Sequence, residues 1–275
     1  MTSPEQLAGL ALETARAAAE LVRGRAARGV EVAATKSSHI DIVTEADRAS
    51  EELIRRLLHE ARPDDGLVGE EAATELGSSG VRWIIDPIDG TVNFLYGIPQ
   101  YAVSIAAERD GVVVAGVVLN AATGTEYLAH LADDGTGGVA TRDGRPLAVR
   151  APAPLSHRLV ATGFNYDAGL REIQARAMVQ LLPRVRDLRR LGSCALDLCH
   201  VGEGLLDAYV EEGVHEWDHA AGGLIARVAG ARTELTTGAG GRDLLICAPE
   251  HGFEEFRAAV AQAGFLAGGP AAARE

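Results

Sequence analysis

The chain has 275 residues, 47% hydrophobic and 24% charged, enough apolar material for one large core or two fused subdomains. Thirty-nine acidic against 26 basic side chains give a formal net charge of −13. Such a surface repels polyanions, so neither nucleic acid nor an anionic membrane is an expected partner. Three cysteines without framework spacing argue against a secreted disulfide scaffold, and the stretch from Met1 to Glu5 lacks signal-peptide character, so a cytoplasmic protein is expected. The longest nearly charge-free apolar run, Val112 to Ala122, is far short of the ~18 residues a membrane helix requires.

Leu7, Leu10, Ala11, Ala15, Ala18, Leu21 and Val22 recur at helical spacing before Gly24, predicting a first amphipathic helix of about six turns. A second helix is predicted over 46–61, with Thr44 as N-cap and Pro63 beyond its end. Strand-like runs follow at 66–68, 81–85, 102–107, 112–118 and 125–131, with Arg109-Asp110-Gly111 as a hairpin connection. The second half alternates: strands at 159–162, 208–211, 232–235 and 244–248, and helices at 170–182, 193–201, from Asp218 onward, and 253–263. The Gly-rich stretch 133–138 reads as a surface turn and 267–275 as a fraying tail. The pattern predicts an α/β to α+β fold with mixed sheets. One unit over 1–275 is expected, with a subdomain change near Pro152 and Pro154 that separates an α+β part, 1–150, from an α/β part, 151–275.

The most informative segment is Asp86-Pro87-Ile88-Asp89-Gly90-Thr91-Val92-Asn93-Phe94, directly after Trp83-Ile84-Ile85. Two carboxylates three residues apart leave the end of a buried strand, Pro87 fixes the turn, and Gly90 permits an unusual backbone angle. A helix beginning at Thr91 would turn its free N–H groups to the same spot, a natural seat for phosphate. Carboxylates and a phosphate share space only with divalent cations between them. Taken singly, Asp-Pro and Asp-Gly are ordinary turn signals, Glu70-Glu71 after Leu67-Val68 reads as a solvated loop, and Asp218 as an N-cap.

Together these segments resemble the inositol monophosphatase family, part of the lithium-sensitive, magnesium-dependent phosphatase superfamily that also holds fructose bisphosphatases and bisphosphate nucleotidases. The resemblance spans nearly the whole chain: Lys36, Asp41, Val43, Thr44 and Asp47 in order, Gly69-Glu70-Glu71, Asp86 to Phe94, and Trp217-Asp218-His219-Ala220-Ala221-Gly222. It implies a layered α-β-α-β-α sandwich, a homodimer and inhibition by lithium. It further implies that Glu70, Asp86 and the carbonyl of Ile88 bind a first Mg²⁺, and Asp86, Asp89 and Asp218 a second. Glu70 with waters would hold a weaker third ion. Oxygen-only ligation suits Mg²⁺ or Mn²⁺. By the same resemblance, the N–H groups of Gly90 and Thr91 receive the phosphate, and Thr91 with Asp47, or Glu70, orients and deprotonates the attacking water. Glu71 supports the site from behind, as does Lys36.

His215-Glu216-Trp217-Asp218-His219 also spells the zinc-protease pattern H-E-x-x-H. A helix starting at Asp218 leaves His215 outside it, so the two histidines do not share a helical face. Cys194 and Cys199 are five apart and read as buried thiols.

For the substrate, Glu211 takes the place of the family glutamate that contacts inositol hydroxyls, and Gly192-Ser193-Cys194-Ala195 matches the segment lining the sugar site. Asp218 borders the same site. No basic cluster for a second phosphate is evident, which favours inositol 1-phosphate over bisphosphates. Tyr96, where many relatives carry histidine, and Cys194, where alanine is commoner, leave the rim undefined. Histidinol phosphate, fructose 1,6-bisphosphate and 3′-phosphoadenosine 5′-phosphate are the alternatives within the superfamily, and a regulatory partnership with the transcription machinery is the alternative outside hydrolysis.

Overall fold

The computed structural model describes residues 2–28, 32–35 and 42–268. Lys36 and Asp41 therefore lie outside the described residues. Helix α1 (Pro4–Ala26) opens on a capping box in which Ser3 and Gln6 exchange side-chain and backbone bonds. Strands β1 (Val32–Thr35) and β2 (Ile42–Thr44) pair antiparallel, and α2 (Glu45–Ala61) starts at the expected cap, Thr44.

β3 (Gly66–Gly69), β4 (Val81–Asp89), β5 (Ala102–Arg109), β6 (Val112–Asn120), β7 (Glu126–Leu131), β8 (Gly138–Arg142) and β9 (Arg145–Pro146) form a seven-stranded sheet in chain order. Its first pair is parallel and the others are antiparallel. The β5–β6 turn is the expected one: Asp110 (φ 51°) and Gly111 (φ 80°) both take the left-handed conformation a two-residue hairpin loop demands.

The six-residue helix α3 (Thr91–Tyr96) leaves the end of β4. The second sheet contains β10 (Leu159–Thr162), β11 (Asp187–Arg189), β12 (Ala208–Glu212), β13 (Ala231–Thr237) and β14 (Asp243–Pro249), in the spatial order β11-β10-β12-β14-β13. β10 runs parallel to β11 and β12, and the remaining pairs are antiparallel. Helices α4 (Ala168–Leu181), α5 (Cys194–Gly202), α6 (Glu216–Val228) and α7 (Phe253–Gln262) complete the chain.

Alternation along the strands sorts the layers. Trp83, Ile85, Val103, Ile105 and Val117 point from the large sheet to the apolar face of α1 and to Ile54 and Leu58 of α2. Their neighbours Ile84, Ala102, Ala106 and Val118 point the other way, onto Leu196 and Cys199 of α5 and Ala221, Leu224 and Ile225 of α6. The far side of those two helices meets Ala161, Tyr209, Leu245 and Cys247 of the second sheet. That sheet's outer face, with Val160, Val210 and Ile246, is closed by α4 and α7 through Leu181, Phe253 and Phe256. The result is the α-β-α-β-α stack. At its centre α5 and α6 lie close enough that a Cβ on Gly222 would fall 2.8 Å from the Ala195 carbonyl oxygen.

Three expectations need correction. β4 does not stop at Ile85 but runs to Asp89, with its pairing to β5 slipping between Asp86 and Asp89, so both acids sit on an irregular strand rather than in a turn. Helix α6 begins at Glu216, two residues before Asp218, because Glu216 and Asp218 both fit its first turn and His215 caps it. The strands β1, β2, β8, β9 and β11 are two to five residues long and were not expected.

Candidate active site

The chain ends of both sheets and the starts of three helices converge on one cavity of about 530 Å³. From the large sheet come Glu70, just past β3, and Asp86, Ile88 and Asp89 of β4. Gly90 and Thr91 add the entry to α3, Gly192 and Ser193 the approach to α5, Glu211 the end of β12, and Asp218 the first turn of α6. Every residue expected to bind metal or substrate therefore borders the same space, although the four acids nearest the motif come from three separated stretches of chain.

Gly90 makes the β4–α3 junction possible. Its φ is 95°, and a Cβ there would meet the Gln100 carbonyl at 2.9 Å and the Gly192 carbonyl at 3.0 Å. Asn93 then ties this corner to the α5 approach: its amide donates to the carbonyls of Gln100 (2.7 Å) and Leu191 (2.8 Å). Gly90 begins α3 without a side-chain cap, and both Gly90 and Thr91 line the cavity.

Behind the wall stands Asp47, 1% exposed, in the first turn of α2. Its Oδ2 accepts from the Thr44 N–H (2.8 Å) and hydroxyl, completing a capping box, while Oδ1 accepts from Thr91 Oγ at 3.0 Å. The same Thr91 hydroxyl also lies 3.1 Å from the Ile88 carbonyl oxygen. Burial raises the Asp47 carboxyl above its usual range, against the opposing pull of the Thr44 and Thr91 hydrogen bonds.

The carboxylates in the cavity are held by N–H and O–H donors. Asp86 Oδ1 accepts the Ile88 N–H (3.1 Å), Asp89 Oδ2 accepts the Ala195 N–H (2.8 Å) and the Ser193 hydroxyl, and Asp218 Oδ2 accepts the His215 N–H (2.6 Å). Tyr209 donates its hydroxyl to Glu211 Oε2. Desolvation nevertheless dominates. It lifts Asp89 to about 6 and Glu211 to about 7, in each case against hydrogen bonds and the Arg190 guanidinium. Asp218 is pushed up further, by desolvation first and then by the charges of Glu70, Asp89 and Glu211.

Among the described residues no three His, Cys, Asp or Glu side chains stand close enough to hold an ion as they are. The acids frame the cavity without closing on one point. The donor set still fits a hard divalent cation: it consists of carboxylate and carbonyl oxygens, and its crowded negative charge is of the kind a divalent ion relieves.

Several cavity residues were not foreseen. Arg190 and Arg242 bring positive charge to a wall read as lacking it, and Asn165 and Asp197 also line the space. Arg190 stands two residues before Gly192, a proximity visible in the sequence, whereas nothing in the chain order announces Arg242. Glu71 does not border the cavity; its N–H donates to Glu51 Oε2 at 2.8 Å. His215 stacks on Trp217 with ring centroids 4.9 Å apart, outside α6, so the H-E-x-x-H spelling does not place two histidines on one helical face.

The sequence profile of the inositol monophosphatase family matches residues 3–264. This chain belongs to that family. The inositol-1-monophosphatase SuhB of Mycobacterium tuberculosis (strain ATCC 25618 / H37Rv) is 44% identical over 273 residues, 92% of each chain. The Nus factor SuhB of Pasteurella multocida is 37% identical, covering 80% of this chain and 82% of its own length. Among solved structures, Mycobacterium tuberculosis SuhB aligns with a TM-score of 0.80 at 41% identity, covering 97% of this chain and all of that one. The SuhB protein of Bartonella henselae gives 0.82 at 32% identity, over 92% and 97%. The chain is thus an enzyme of the phosphoric monoester hydrolase kind, with the fold of these relatives.

Proposed function

We propose that this enzyme hydrolyses myo-inositol 1-phosphate to myo-inositol and phosphate with Mg²⁺, two or three ions per site and Mn²⁺ as a substitute, by direct attack of water. The observation that carries the reading is the gathering of Glu70, Asp86, Ile88, Asp89 and Asp218 around one cavity beside the Thr91–Asp47 pair.

The ions, when bound, would neutralise the phosphoryl oxygens, acidify the attacking water and stabilise the leaving alkoxide. Glu70, Asp86, Asp89, Asp218 and the Ile88 carbonyl would hold them. The chain's own work is placement. Thr91 has one hydroxyl hydrogen for two acceptors, Asp47 Oδ1 and the Ile88 carbonyl; donating to either leaves its lone pairs to receive a water proton. Asp47, buried and held on its other oxygen by Thr44, fixes that orientation. The N–H groups of Gly90 and Thr91 would donate to the phosphate oxygens at the start of α3. Glu211, Ser193 and Gly192 line the side where the polyol hydroxyls would lie, with Glu211 held in place by Tyr209.

Lithium inhibition and a homodimer belong to the same proposal. All three cysteines are free and buried, which supports a reducing, cytoplasmic setting; no described helix is long and apolar enough to cross a membrane. Relatives named as Nus factors point to a second role, yet the carboxylate-lined cavity favours hydrolysis.

The test is phosphate release with Mg²⁺ from inositol 1-phosphate, histidinol phosphate, fructose 1,6-bisphosphate and 3′-phosphoadenosine 5′-phosphate. The first should give the highest kcat/KM. A preference for a bisphosphate would instead assign Arg190 and Arg242 to a second phosphate and overturn the specificity.

A further inference from the structure

One face of α2 meets three segments of the site. Asp47 reaches Thr91, Ser50 Oγ donates to the Pro87 carbonyl at 3.2 Å, and Glu51 turns toward the stretch that leaves β3. Glu51 is 1% exposed. Its Oε2 accepts the Glu71 N–H at 2.8 Å and its Oε1 the Ala72 N–H at 3.1 Å.

Arg55, one helical turn on, closes the arrangement. Its Nε donates to Glu51 Oε1 at 2.7 Å, Nη1 to Glu75 at 3.0 Å and Nη2 to the Ala72 carbonyl at 3.3 Å. On the other side Gly69 leaves the carboxylate its room, since a Cβ there would fall 2.3 Å from Oε1. The backbone just after Glu70 is thereby fixed to α2, the helix that also carries Asp47, while Gly69 just before it pairs with Ile85 in the sheet.

A buried ion pair is a poor way to gain stability, because desolvation offsets most of its attraction and apolar side chains of similar volume serve as well. What this pair supplies is a fixed position for the Glu70 backbone. We propose that Glu51 and Arg55 are positioning residues for Glu70 and set the metal affinity of the site. The inference rests on the reading of Glu70 as a metal ligand.

The Glu51→Gln variant keeps the side-chain volume but exchanges one acceptor for an N–H donor and removes the charge facing Arg55. Loss of support behind a metal ligand weakens affinity by about 10–100-fold. In the full-length chain, Mn²⁺ alone, followed by electron paramagnetic resonance without substrate, should bind at least about tenfold more weakly to E51Q. The Mg²⁺ concentration for half-maximal phosphate release should rise in parallel, with kcat at saturating Mg²⁺ within about twofold of the parent.

Gly69→Ala should reproduce the effect by displacing the same carboxylate, and it keeps the question answerable if E51Q does not fold. Unchanged Mn²⁺ affinity in a folded variant overturns the inference. So does a fall in kcat at saturating metal without a change in metal affinity, which is what a purely structural role gives. A parent chain that binds no Mn²⁺ and releases no phosphate would instead remove the functional reading underneath.

Discussion

At the scale of single residues, the cavity acids divide by what holds them. Asp86 and Asp218 each accept a backbone N–H, and as metal ligands they would supply negative charge, so an amide in either place removes charge where charge is required. Asp86→Asn and Asp218→Asn should each lower kcat/KM by at least about a hundredfold, an effect on the scale of losing a metal ligand's charge. Near-parental turnover in either purified variant would contradict the assignment. The residues expected around Asp86 to Thr91 were legible because they are contiguous and Pro87 and Gly90 restrict the backbone there, although the acids sit on β4 itself and not in the turn expected after it. Arg242 and Asn165 were not, since each enters the cavity from a loop of the second sheet whose position depends on strand order. Arg190, two residues before Gly192, reaches the cavity with the same approach to α5.

At the scale of elements, the junction from β4 to α3 matters most. Gly90→Ala forces a side chain into the left-handed region, a cost of about 1–2 kcal/mol, and drives a Cβ against two carbonyl oxygens as well. Denaturant unfolding should show a loss of at least about 2 kcal/mol, with activity falling further as Thr91 moves off Asp47. Elements with strong periodicity were readable to within a few residues: α1 from its Leu and Ala stripe, α2 from its cap, β5 and β6 from their β-branched runs and hairpin turn. β9 and β11 escaped because they are only two and three residues long, too short to show a period even though Leu188 packs against the core. The start of α6 was misplaced for a related reason. An acid suits both the cap and the first turn, and composition alone does not separate the two.

At the scale of the whole molecule, folding brings like charges from both sheets into one cavity. Asp89 rises from 3.8 to about 6 and Glu211 from 4.5 to about 7, so the folded chain holds more protons than the unfolded chain between pH 4 and 7. The stability these groups contribute is complete below pH 4 and is lost as pH rises through 6 to 7. In chelator, the melting temperature should therefore fall from pH 5 to pH 8, with these two carboxyls contributing on the order of a few kcal/mol to the change. Mg²⁺ should raise it more at pH 8 than at pH 5, because protons and metal compete for the same oxygens. A chelated chain with the opposite slope would show that these carboxyls are not the groups in control. Asp47 sits where folding and turnover meet: one oxygen starts a helix and the other steers a hydroxyl. A replacement there faces two judges at once, and a change that satisfies the helix alone would leave a well-formed catalyst without aim.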